Sequence, residues 1–456
     1  MTGPVTVGMR SGGRRLVIAA LGLGAVLALG GCGSDSWFGG DDPPPLPGER
    51  DAVLGQERGL AQATRDQEEV VLPAPEPNAD WPQSGGYSHH AMQHMVVGDT
   101  LQRVWRVNIG AGGSSRDRLL NGPVVADGRI FTIDRKATVR AFNAETGERL
   151  WSVDLPDSDE DEDDGALLGG GVAFDRGRVF ATTGFAKVVA LRADTGQELW
   201  RVPVDAPIRA APAVNSGRVI VQTVDNQTIA LAAIDGHALW SHSGSPETAS
   251  LLGAPTAAVD QGIVVVPYSS GELFALRLES GAEVWTDSVT AARRTDAVGT
   301  LQDIRANPVI DGNRLFVIGN SGLMAGMDLR SGGRAWILRV AGTQQPWLAG
   351  NVLFLVSEEA ELAAINATTG GVLWTTPLPR WENPQDLSDP IVWTGPVLAS
   401  DRLIVGSSDG YAYAVSPYTG KVLGRIELPD PMASAPVVAN GTIYFLTTNG
   451  DLVAYR

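Results

Sequence analysis

The stretch Ala190-Leu-Arg-Ala-Asp-Thr-Gly-Gln-Glu-Leu-Trp200 decides the fold, because the chain contains seven copies of its pattern. Every copy has glycine at its seventh position, and six of the seven end on tryptophan. Successive tryptophans lie 49, 40, 45, 51 and 38 residues apart. The other copies are residues 141–151, 230–240, 275–285, 326–336, 364–374 and 414–424.

Each unit also contains short strands with alternating side chains, such as residues 128–133 and 402–406. Four strands in about 45 residues are typical of one blade of a β-propeller. The glycine supplies the positive φ that a tight hairpin turn requires. We expect the tryptophan that follows it to lie between neighbouring blades, with its N–H bonded to the backbone.

Two incomplete fragments complete the ring. Residues 434–456 contain the first three strands of a unit, and residues 101–107 form an isolated fourth strand. Together they predict an eighth blade built from both ends of the chain, which removes the free edges of the ring. The expected fold of residues 79–456 is therefore all-β, an eight-bladed β-propeller of four-stranded antiparallel blades.

The N-terminus predicts export. Three arginines among the first 15 residues precede an uncharged apolar run of 14 residues, 16–29, which is too short for a comfortable membrane span. This pattern is typical of a cleaved signal peptide, which we place at residues 1–31. The string Leu29-Gly30-Gly31-Cys32 resembles the bacterial lipobox and implies acylation of Cys32. The alternatives are an ordinary signal peptide with an incidental cysteine and a twin-arginine signal.

Composition limits the partners. Residues 32–78 are expected to form a flexible tether, because their prolines and charges cannot bury enough apolar surface to offset the entropy of ordering. The net charge of −17 argues against nucleic acid or anionic lipid headgroups as partners. Cys32 is the only cysteine, so no intramolecular disulfide can form. Membrane attachment would come from acyl chains.

The unit Ala-x-x-x-x-Thr-Gly-x-x-x-Trp resembles the repeat of quinoprotein-type propellers, over residues 81–456. Two groups with eight such units are the dehydrogenases that use pyrroloquinoline quinone (PQQ) and the BamB family, lipoproteins of the outer-membrane β-barrel assembly (BAM) machine. The dehydrogenases hold PQQ beside a disulfide between adjacent cysteines, together with a calcium ion. Since this chain has no cysteine after Cys32, resemblance to them implies the fold rather than the activity.

Resemblance to the BamB family implies a non-catalytic scaffold without a cofactor. Its lipid would anchor it to the outer membrane, facing the periplasm. Its partners would be the POTRA domains of BamA, other BAM components and unfolded outer-membrane protein clients. The alternatives are a PQQ-dependent dehydrogenase-like quinoprotein, which predicts a bound quinone, and a ligand-binding periplasmic propeller, which predicts a polar channel lining.

The same resemblance implies a docking surface on two neighbouring inter-blade loops. In the family, one loop carries a Leu-Ser-Leu-Arg-Gly-like string, where this chain has residues 249–253, with Leu252 in place of the arginine. The other carries an Asp-x-Asp string, where this chain has Asp303 and Arg305. The alternative is that both loops are ordinary connections with packed leucines and solvated charges. The expected partner-binding residues are Ser250, Leu251, Leu252, Gly253, Arg293, Arg294, Asp303 and Arg305.

Three other features of the sequence point less strongly to a functional site. His89, His90 and His94 could share a metal ion, but no acidic or thiol ligand lies beside them in the sequence, so packing along one face of the ring is preferred. The acidic run 157–164 lacks the glycine and spacing of an EF-hand loop, which favours a solvated insertion. The aromatic insertion 379–390 either joins a binding face or packs over the ring.

Overall fold

The computed structural model describes residue 60 and residues 63–113, 121–156, 169–247, 253–290 and 302–456. The predicted signal peptide, Cys32 and the first part of the predicted tether lie outside these residues. Within them, eight four-stranded antiparallel sheets follow one another around a ring. This arrangement confirms the predicted eight-bladed β-propeller. The described residues contain no helix with the length and apolar character that crossing a membrane requires.

Strand β1 (Arg103–Asn108) comes first in the chain and belongs to the last blade. Blades 1 to 4 follow, each formed by four consecutive strands from the innermost to the outermost. These strands are β2 (Val124–Ala126), β3 (Arg129–Ile133), β4 (Thr138–Asn143), β5 (Arg149–Asp154), β6 (Gly170–Asp175), β7 (Arg178–Thr183), β8 (Lys187–Arg192), β9 (Glu198–Pro203), β10 (Ala213–Asn215), β11 (Arg218–Gln222), β12 (Gln227–Ala232), β13 (Ala238–Ser243), β14 (Ala258–Asp260), β15 (Ile263–Pro267), β16 (Glu272–Arg277) and β17 (Glu283–Ser288).

Blades 5 to 7 repeat this order, with a two-stranded hairpin, β26 and β27, inserted between blades 6 and 7. Blade 8 combines the last three strands with β1. These strands are β18 (Val309–Asp311), β19 (Arg314–Ile318), β20 (Met324–Asp328), β21 (Arg334–Leu338), β22 (Trp347–Ala349), β23 (Val352–Val356), β24 (Glu361–Asn366), β25 (Val372–Pro377), β26 (Trp381–Asn383), β27 (Ser388–Pro390), β28 (Trp393–Ala399), β29 (Arg402–Ser407), β30 (Tyr411–Val415), β31 (Val422–Glu427), β32 (Val437–Ala439), β33 (Thr442–Leu446) and β34 (Asp451–Tyr455).

Each repeat glycine lies against the indole of the preceding blade. A Cβ added to Gly196 would lie 2.8 Å from Cε3 of Trp151, and φ of Gly196 is +73°, as the hairpin turn requires. The indole N–H of Trp151 donates to the carbonyl of Ala193 at 3.0 Å. This confirms the expected place of the tryptophan between blades. The same glycine contact recurs in the pairs Trp105–Gly147, Trp200–Gly236, Trp240–Gly281, Trp285–Gly332, Trp336–Gly370 and Trp374–Gly420.

Two separate segments close blade 8. Strand β1 pairs antiparallel with β34, so no hairpin turn joins the third and fourth strands of this blade. Gln102 and Arg456 exchange backbone hydrogen bonds of 2.9 and 3.0 Å. The guanidinium of Arg106 pairs with the carboxylate of Asp451 and lies 3.8 Å from that of Asp430. The predicted closure by strands from both ends of the chain is confirmed.

This closure explains why the seventh repeat copy ends on Gly424 rather than tryptophan. A side chain there would face blade 8, in which no hairpin glycine is present to receive an indole. No described atom outside its own chain neighbours lies within 4 Å of a Cβ added to Gly424. The departure from the repeat therefore falls at the seam that lacks the receiving turn.

Residues 78–97, which we call the belt, make one turn inside the ring. The belt starts at blade 8, where the side-chain amide of Asn78 donates to the carbonyl of Val438 at 2.6 Å. It ends at the same blade, where Val97 forms a bridge with Gly441. Between these points it hydrogen-bonds the innermost strands of blades 1 to 7 in ring order, through Trp81, Pro82, Gln83, Ser88, His89, Gln93 and Met95.

The belt provides hydrogen-bond partners for the backbone groups of the innermost strands that face the ring axis. An innermost strand has an unpaired edge there, and buried N–H and C=O groups require partners. Trp81 and Val125 of β2 exchange backbone hydrogen bonds of 2.7 and 2.8 Å. The side-chain amide of Gln83 binds the C=O and N–H of Val214 at 2.7 and 2.8 Å. The belt is thus an integral layer of the propeller.

Contacts with the ring begin before residue 79, the predicted start of the domain. Leu60 is fully buried, and its N–H donates to the Glu361 carboxylate at 2.8 Å. Thr64 and Asp66 form backbone hydrogen bonds of 2.9 and 3.0 Å with Val372 of β25. The described end of the segment predicted as a tether therefore contacts blade 6.

Candidate binding face of the ring

The strand order decides which connections share a face of the ring. Innermost strands begin where the connection from the preceding blade arrives. Since neighbouring strands are antiparallel, the turns between second and third strands lie on that same face, and the repeat hairpins lie on the opposite one. The described ends of the two predicted docking loops and insertion 379–390 belong to connections that arrive at an innermost strand from the preceding blade. We call this side the loop face, which includes residues 121–123, 253–255, 268–272, 305–308 and 379–392.

A cavity of about 830 Å³ opens on the loop face. Six blades contribute residues to its wall, which places it at the ring axis. Its floor comes from the belt, through Trp81, Ser84 and Gly85, together with Trp347. The two indoles stack with ring centroids 6.0 Å apart. The wall residues include 121–123, 253–254, 305–307, 343–345, 394–397 and 433–437.

Side-chain amides hold the floor in place. The amide of Asn307 donates to Oε1 of Gln345 at 3.0 Å, and its Oδ1 accepts the N–H of Thr256 at 2.8 Å. The amide of Gln345 donates to the carbonyl of His90 at 3.0 Å. Because these bonds join the belt to blades 4, 5 and 6, the floor is preformed.

The wall carries more negative than positive charge. Among its described side chains, the carboxylates are Glu382, Asp389 and Asp430, and the cation is Arg305. Glu382 and Asp389 belong to the hairpin β26–β27, which therefore lies at the mouth of the cavity. Insertion 379–390 thus borders the loop face, and the indole N–H of neighbouring Trp393 donates to the carbonyl of Pro379 at 3.0 Å.

The structure brings together three of the eight predicted partner-binding residues. A Cβ added to Gly253 would lie 3.0 Å from Nε of Arg305, and Gly253, Asp303 and Arg305 line one small cleft. Asp303 is only 5 % exposed, so its carboxylate does not reach a docked protein without movement. The predicted residues Ser250, Leu251, Leu252, Arg293 and Arg294 lie outside the described residues.

The turn 268–272 joins the bases of the two predicted docking loops. The carbonyl of Tyr268 accepts the N–H of Ile304 at 3.5 Å, and that of Gly271 accepts the N–H of Val289 at 3.0 Å. Toward the other loop, the carboxylate of Glu272 accepts the N–H and the hydroxyl of Ser245 at 2.8 and 2.9 Å. The hydroxyl of Ser270 donates to the same carboxylate at 2.7 Å. The bonds from Ser245 and Ser270 lower the pKa of Glu272, against the effect of its burial. Sequence reasoning missed this turn, because its residues do not match the family strings.

A buried aromatic cluster supports the same turn. The hydroxyl of Tyr268 hydrogen-bonds Thr228 at 2.8 Å and Nδ1 of His242 at 3.0 Å. The rings of His242 and Tyr268 are stacked, with an interplanar angle of 2°. Burial raises the pKa of Tyr268 and lowers that of His242, so both groups are neutral near pH 7.

The three belt histidines have structural partners. Nδ1–H of His90 donates to the carbonyl of Pro308 at 2.7 Å, and Nδ1–H of His94 donates to that of Pro73 at 2.8 Å. Nδ1 of His89 accepts the N–H of Ala91 at 3.0 Å. The histidines pack against backbone partners, but the segment that carries them lies inside the ring and not along one face of it, as the sequence had led us to expect. Among the described residues no three His, Cys, Asp or Glu side chains form a group suited to a metal ion.

The cavity does not match the chemistry of a quinone-dependent dehydrogenase. The disulfide between adjacent cysteines cannot form, because Cys32 is the only cysteine of the chain. The described wall also lacks a carboxylate group clustered for calcium. The acidic run 157–164 lies outside the described residues.

Comparison with known proteins gives a family match. The family model described as "Outer membrane protein assembly factor BamB" matches residues 96–160, 135–376 and 358–456. These ranges cover all eight blades, and they leave out the belt except for its last two residues, together with the segment that precedes it.

Curated relatives agree over most of their length. The outer membrane protein assembly factor BamB of Vibrio cholerae is 32 % identical over 355 residues, which are 77 % of this chain and 88 % of that protein. The protein of the same name from Yersinia pestis is 26 % identical over 356 residues, with the same two shares.

Solved structures share the fold. BamB from Moraxella catarrhalis superposes with a TM-score of 0.63 at 20 % identity, over 78 % of this chain and 98 % of that one. A quinohemoprotein alcohol dehydrogenase from Pseudomonas putida gives 0.65 at 15 % identity, over 85 % and 83 %. At these identities the likeness concerns architecture alone. It does not distinguish an assembly factor from a quinone-dependent dehydrogenase.

Proposed function

The chain belongs to the BamB family of outer membrane protein assembly factors, and from this premise we propose that it is a non-catalytic scaffold lipoprotein of the BAM complex. It docks on the POTRA domains of BamA and assists the folding and insertion of outer-membrane proteins. A preformed ring suits this role, because a rigid surface loses little conformational entropy on binding.

We propose that Cys32 carries the lipid that anchors the protein to the outer membrane, facing the periplasm. The lipobox-like string before Cys32 supports this assignment. More than one acyl chain is required for stable anchoring, since each buried CH₂ contributes only about 0.8 kcal/mol.

We place the docking surface on the loop face, around the connections before blades 4 and 5. The observation that carries this proposal is that turn 268–272 and the Gly253–Arg305 contact hold the bases of both connections together. Arg305 is half-buried and lines the cleft, so it is positioned to meet an acidic group of a partner. Half-buried Glu272 acts as a positioning residue for the first loop through its bonds to Ser245, and Asp303 is buried at the base of the second.

Affinity purification from envelopes in mild detergent tests the proposal. The tagged, Cys32-anchored protein should recover a POTRA-containing barrel protein, identified by mass spectrometry. Arg305→Glu should reduce that recovery about ten-fold, since it replaces attraction with like-charge repulsion. Arg330→Glu is the matched control, because Arg330 is an exposed arginine on a repeat hairpin of the opposite face.

The outcomes separate the parts of the proposal. Recovery of the protein alone would refute the scaffold role. Equal losses with Arg305→Glu and Arg330→Glu would refute the docking surface and leave the complex membership standing.

The preformed cavity favours a second candidate function, the binding of a small polar ligand. Its walls combine carboxylates, one arginine and several side-chain amides over a floor of two indoles. Native mass spectrometry of protein purified from envelopes checks this idea. A reproducible added mass that Asn307→Leu removes would support it, and an unmodified mass would exclude it for the ligands present in the envelope.

A further inference from the structure

The hairpin between blades 6 and 7, β26–β27, has an exposed tip. Its two strands pair with each other, and every residue from 382 to 387 is exposed. Leu387, the last residue of this tip, is 63 % exposed. Most of its apolar surface is therefore in contact with water, and its side chain adds little to the stability of the protein.

The backbone of Leu387 is left-handed, with φ +49°. Glycine or asparagine is usual at such a place in a turn, because a larger side chain crowds the backbone in this conformation. Among the described non-glycine residues with positive φ, the other apolar ones are the alanines 137, 186 and 360. Folding thus disfavours leucine here through the backbone and gains little from its side chain. A strained position that folding does not require points to a function.

The base of the hairpin is fixed to the ring. The N–H of Ile391 donates to the carbonyl of Arg380 at 2.9 Å, and the guanidinium of Arg380 lies 3.0 Å from the carboxylate of Glu359 in blade 6. Nearer the tip, the side-chain amide of Asn383 donates to the carboxylate of Asp389 at 2.8 Å. Because these bonds constrain the hairpin, little conformational entropy is lost when its tip enters a pocket.

The hairpin is also acidic. Residues 381–392 contain Glu382, Asp386 and Asp389 but no lysine, arginine or histidine. Asp386 directly precedes Leu387, and Asp389 follows two residues later. The apolar tip therefore has a carboxylate on each side of it in the chain. The surface that complements it is an apolar pocket with lysine or arginine at its rim.

Charge and shape argue against three other occupants. The carboxylates would be repelled by anionic lipid headgroups. A second copy of this chain would present the same acidic hairpin and a net charge of −17, so like charges would oppose its approach. An unfolded client segment has no preformed pocket and would have to pay the entropy of ordering one around a single side chain. The occupant that fits is a folded partner protein.

From these observations we propose that hairpin β26–β27 is a second docking element of the loop face. Leu387 inserts into an apolar pocket, rimmed by lysine or arginine, on the POTRA-containing partner. Arg305 and residues of this hairpin line the same cavity, so a folded protein that covers the cavity mouth contacts both. The inference rests on the proposed function for the identity of the partner, and it deepens that function by adding a second contact and its chemistry.

Binding of the full-length, lipidated protein to full-length BamA of the same organism, measured in detergent, tests the proposal. Leu387→Asn removes the apolar side chain and supplies a residue that tolerates a left-handed backbone. We expect this variant to bind about ten-fold more weakly, with an unchanged or higher midpoint of urea denaturation. Ile234→Asn is the matched control, because Ile234 is 64 % exposed on a repeat hairpin of the opposite face. Its affinity should stay within about two-fold of the wild type.

Charge reversal tests the basic rim of the pocket. Asp386→Lys should weaken binding about three-fold at low salt and less at high salt, because salt screens exposed charges. Asp194→Lys changes an exposed carboxylate of the opposite face and is the control. If the two variants bound BamA equally well, the basic rim would be wrong.

The outcomes distinguish this inference from the proposed function. Unchanged affinity of Leu387→Asn, together with a loss at Arg305→Glu, would overturn the inference and leave the proposed docking surface standing. An equal loss with Ile234→Asn would overturn it as well. A lower urea midpoint for Leu387→Asn would assign the leucine to stability instead of binding. If the wild-type protein bound no BamA, the proposed function would fall and the inference with it.

Discussion

At the residue scale, a repeat glycine is required for two reasons: its positive φ and its close contact with an indole. Alanine substitutions at two glycines can separate these two effects. Gly196 has φ +73° and touches the indole of Trp151, whereas Gly177 has φ +75° and no described contact within 4 Å of an added Cβ. Both positions disfavour a side chain through the backbone, but only Gly196 also lies against a neighbouring blade. The difference in the free energy of unfolding between the two alanine variants therefore measures the contribution of the contact between blades.

We predict that Gly177→Ala lowers the free energy of unfolding by about 1 kcal/mol, the usual cost of a left-handed alanine. Gly196→Ala should cost about 1 to 3 kcal/mol more, because its methyl group overlaps the indole. Urea denaturation of both variants checks this. Equal midpoints would show that the tryptophan contact adds nothing to the backbone requirement.

His90 predicts a pH dependence of stability. Burial lowers its pKa to about 4, below the usual value of about 6.5. The unfolded chain therefore binds a proton at a higher pH than the folded one. The stabilisation is complete above about pH 6.5 and is lost as the pH falls toward 4, by roughly 3 kcal/mol in total.

Urea denaturation between pH 7.5 and 4.5 measures this contribution. His90→Gln should flatten the fall in stability below pH 6.5. A parallel fall in the wild type and His90→Gln would assign the pH dependence to other groups.

These residues also show how far sequence reasoning reaches. The hairpin glycines and tryptophans were predictable, because turn geometry and spacing are local and recur seven times. The burial of Asp303 was not, since an acidic residue in an inter-blade connection gives no sign of being 5 % exposed.

At the element scale, the belt is the part of the fold that the repeat pattern does not contain. Its contacts join residues far apart in the chain, such as Asn78 and Val438, which differ by 360 positions. One signal was present: residues 81–97 contain no Asp, Glu, Lys or Arg, but do contain Trp81, Met92 and Met95, which is typical of a buried segment. Composition could thus indicate burial, but the circular path depends on the ring itself.

We predict that the belt is required for cooperative folding. Deletion of residues 33–98 removes the partners of the innermost strand edges and should abolish the cooperative thermal transition and increase cleavage in limited proteolysis. Deletion of residues 33–72 is the matched control, since it keeps the belt and, among the described residues, removes the contacts of Leu60 and residues 63–72 with blade 6. It should lower the melting temperature by a few degrees, roughly the effect of about 1 kcal/mol in a large domain. Similar melting curves for the two deletions would contradict the required role.

At the scale of the whole molecule, the ring is closed but its seams are unequal. Seven seams contain a tryptophan against a hairpin glycine, and the seam between blades 7 and 8 has Gly424 facing a blade closed by β34 and β1. Closure removes the need for a turn in blade 8 and, with it, the surface that receives an indole. The pairing of β34 with β1 in blade 8 therefore explains why the repeat of blade 7 ends on glycine and not on tryptophan.

The last prediction follows from this difference between the seam that lacks a tryptophan and the seams that contain one. Local opening requires the least free energy where the fewest apolar contacts are broken, so amides of β31 should exchange with solvent faster than those of β13. The two strands match in length and place, since each has six residues and is outermost in its blade. Native-state hydrogen exchange followed by mass spectrometry compares them in one experiment. Gly424→Trp should not restore protection to the level of β13, because no hairpin glycine in blade 8 receives the indole. If β31 were protected as well as β13 in the wild type, the missing tryptophan would have no energetic consequence, and the stability of this seam would have to come from the closure of β1 on β34.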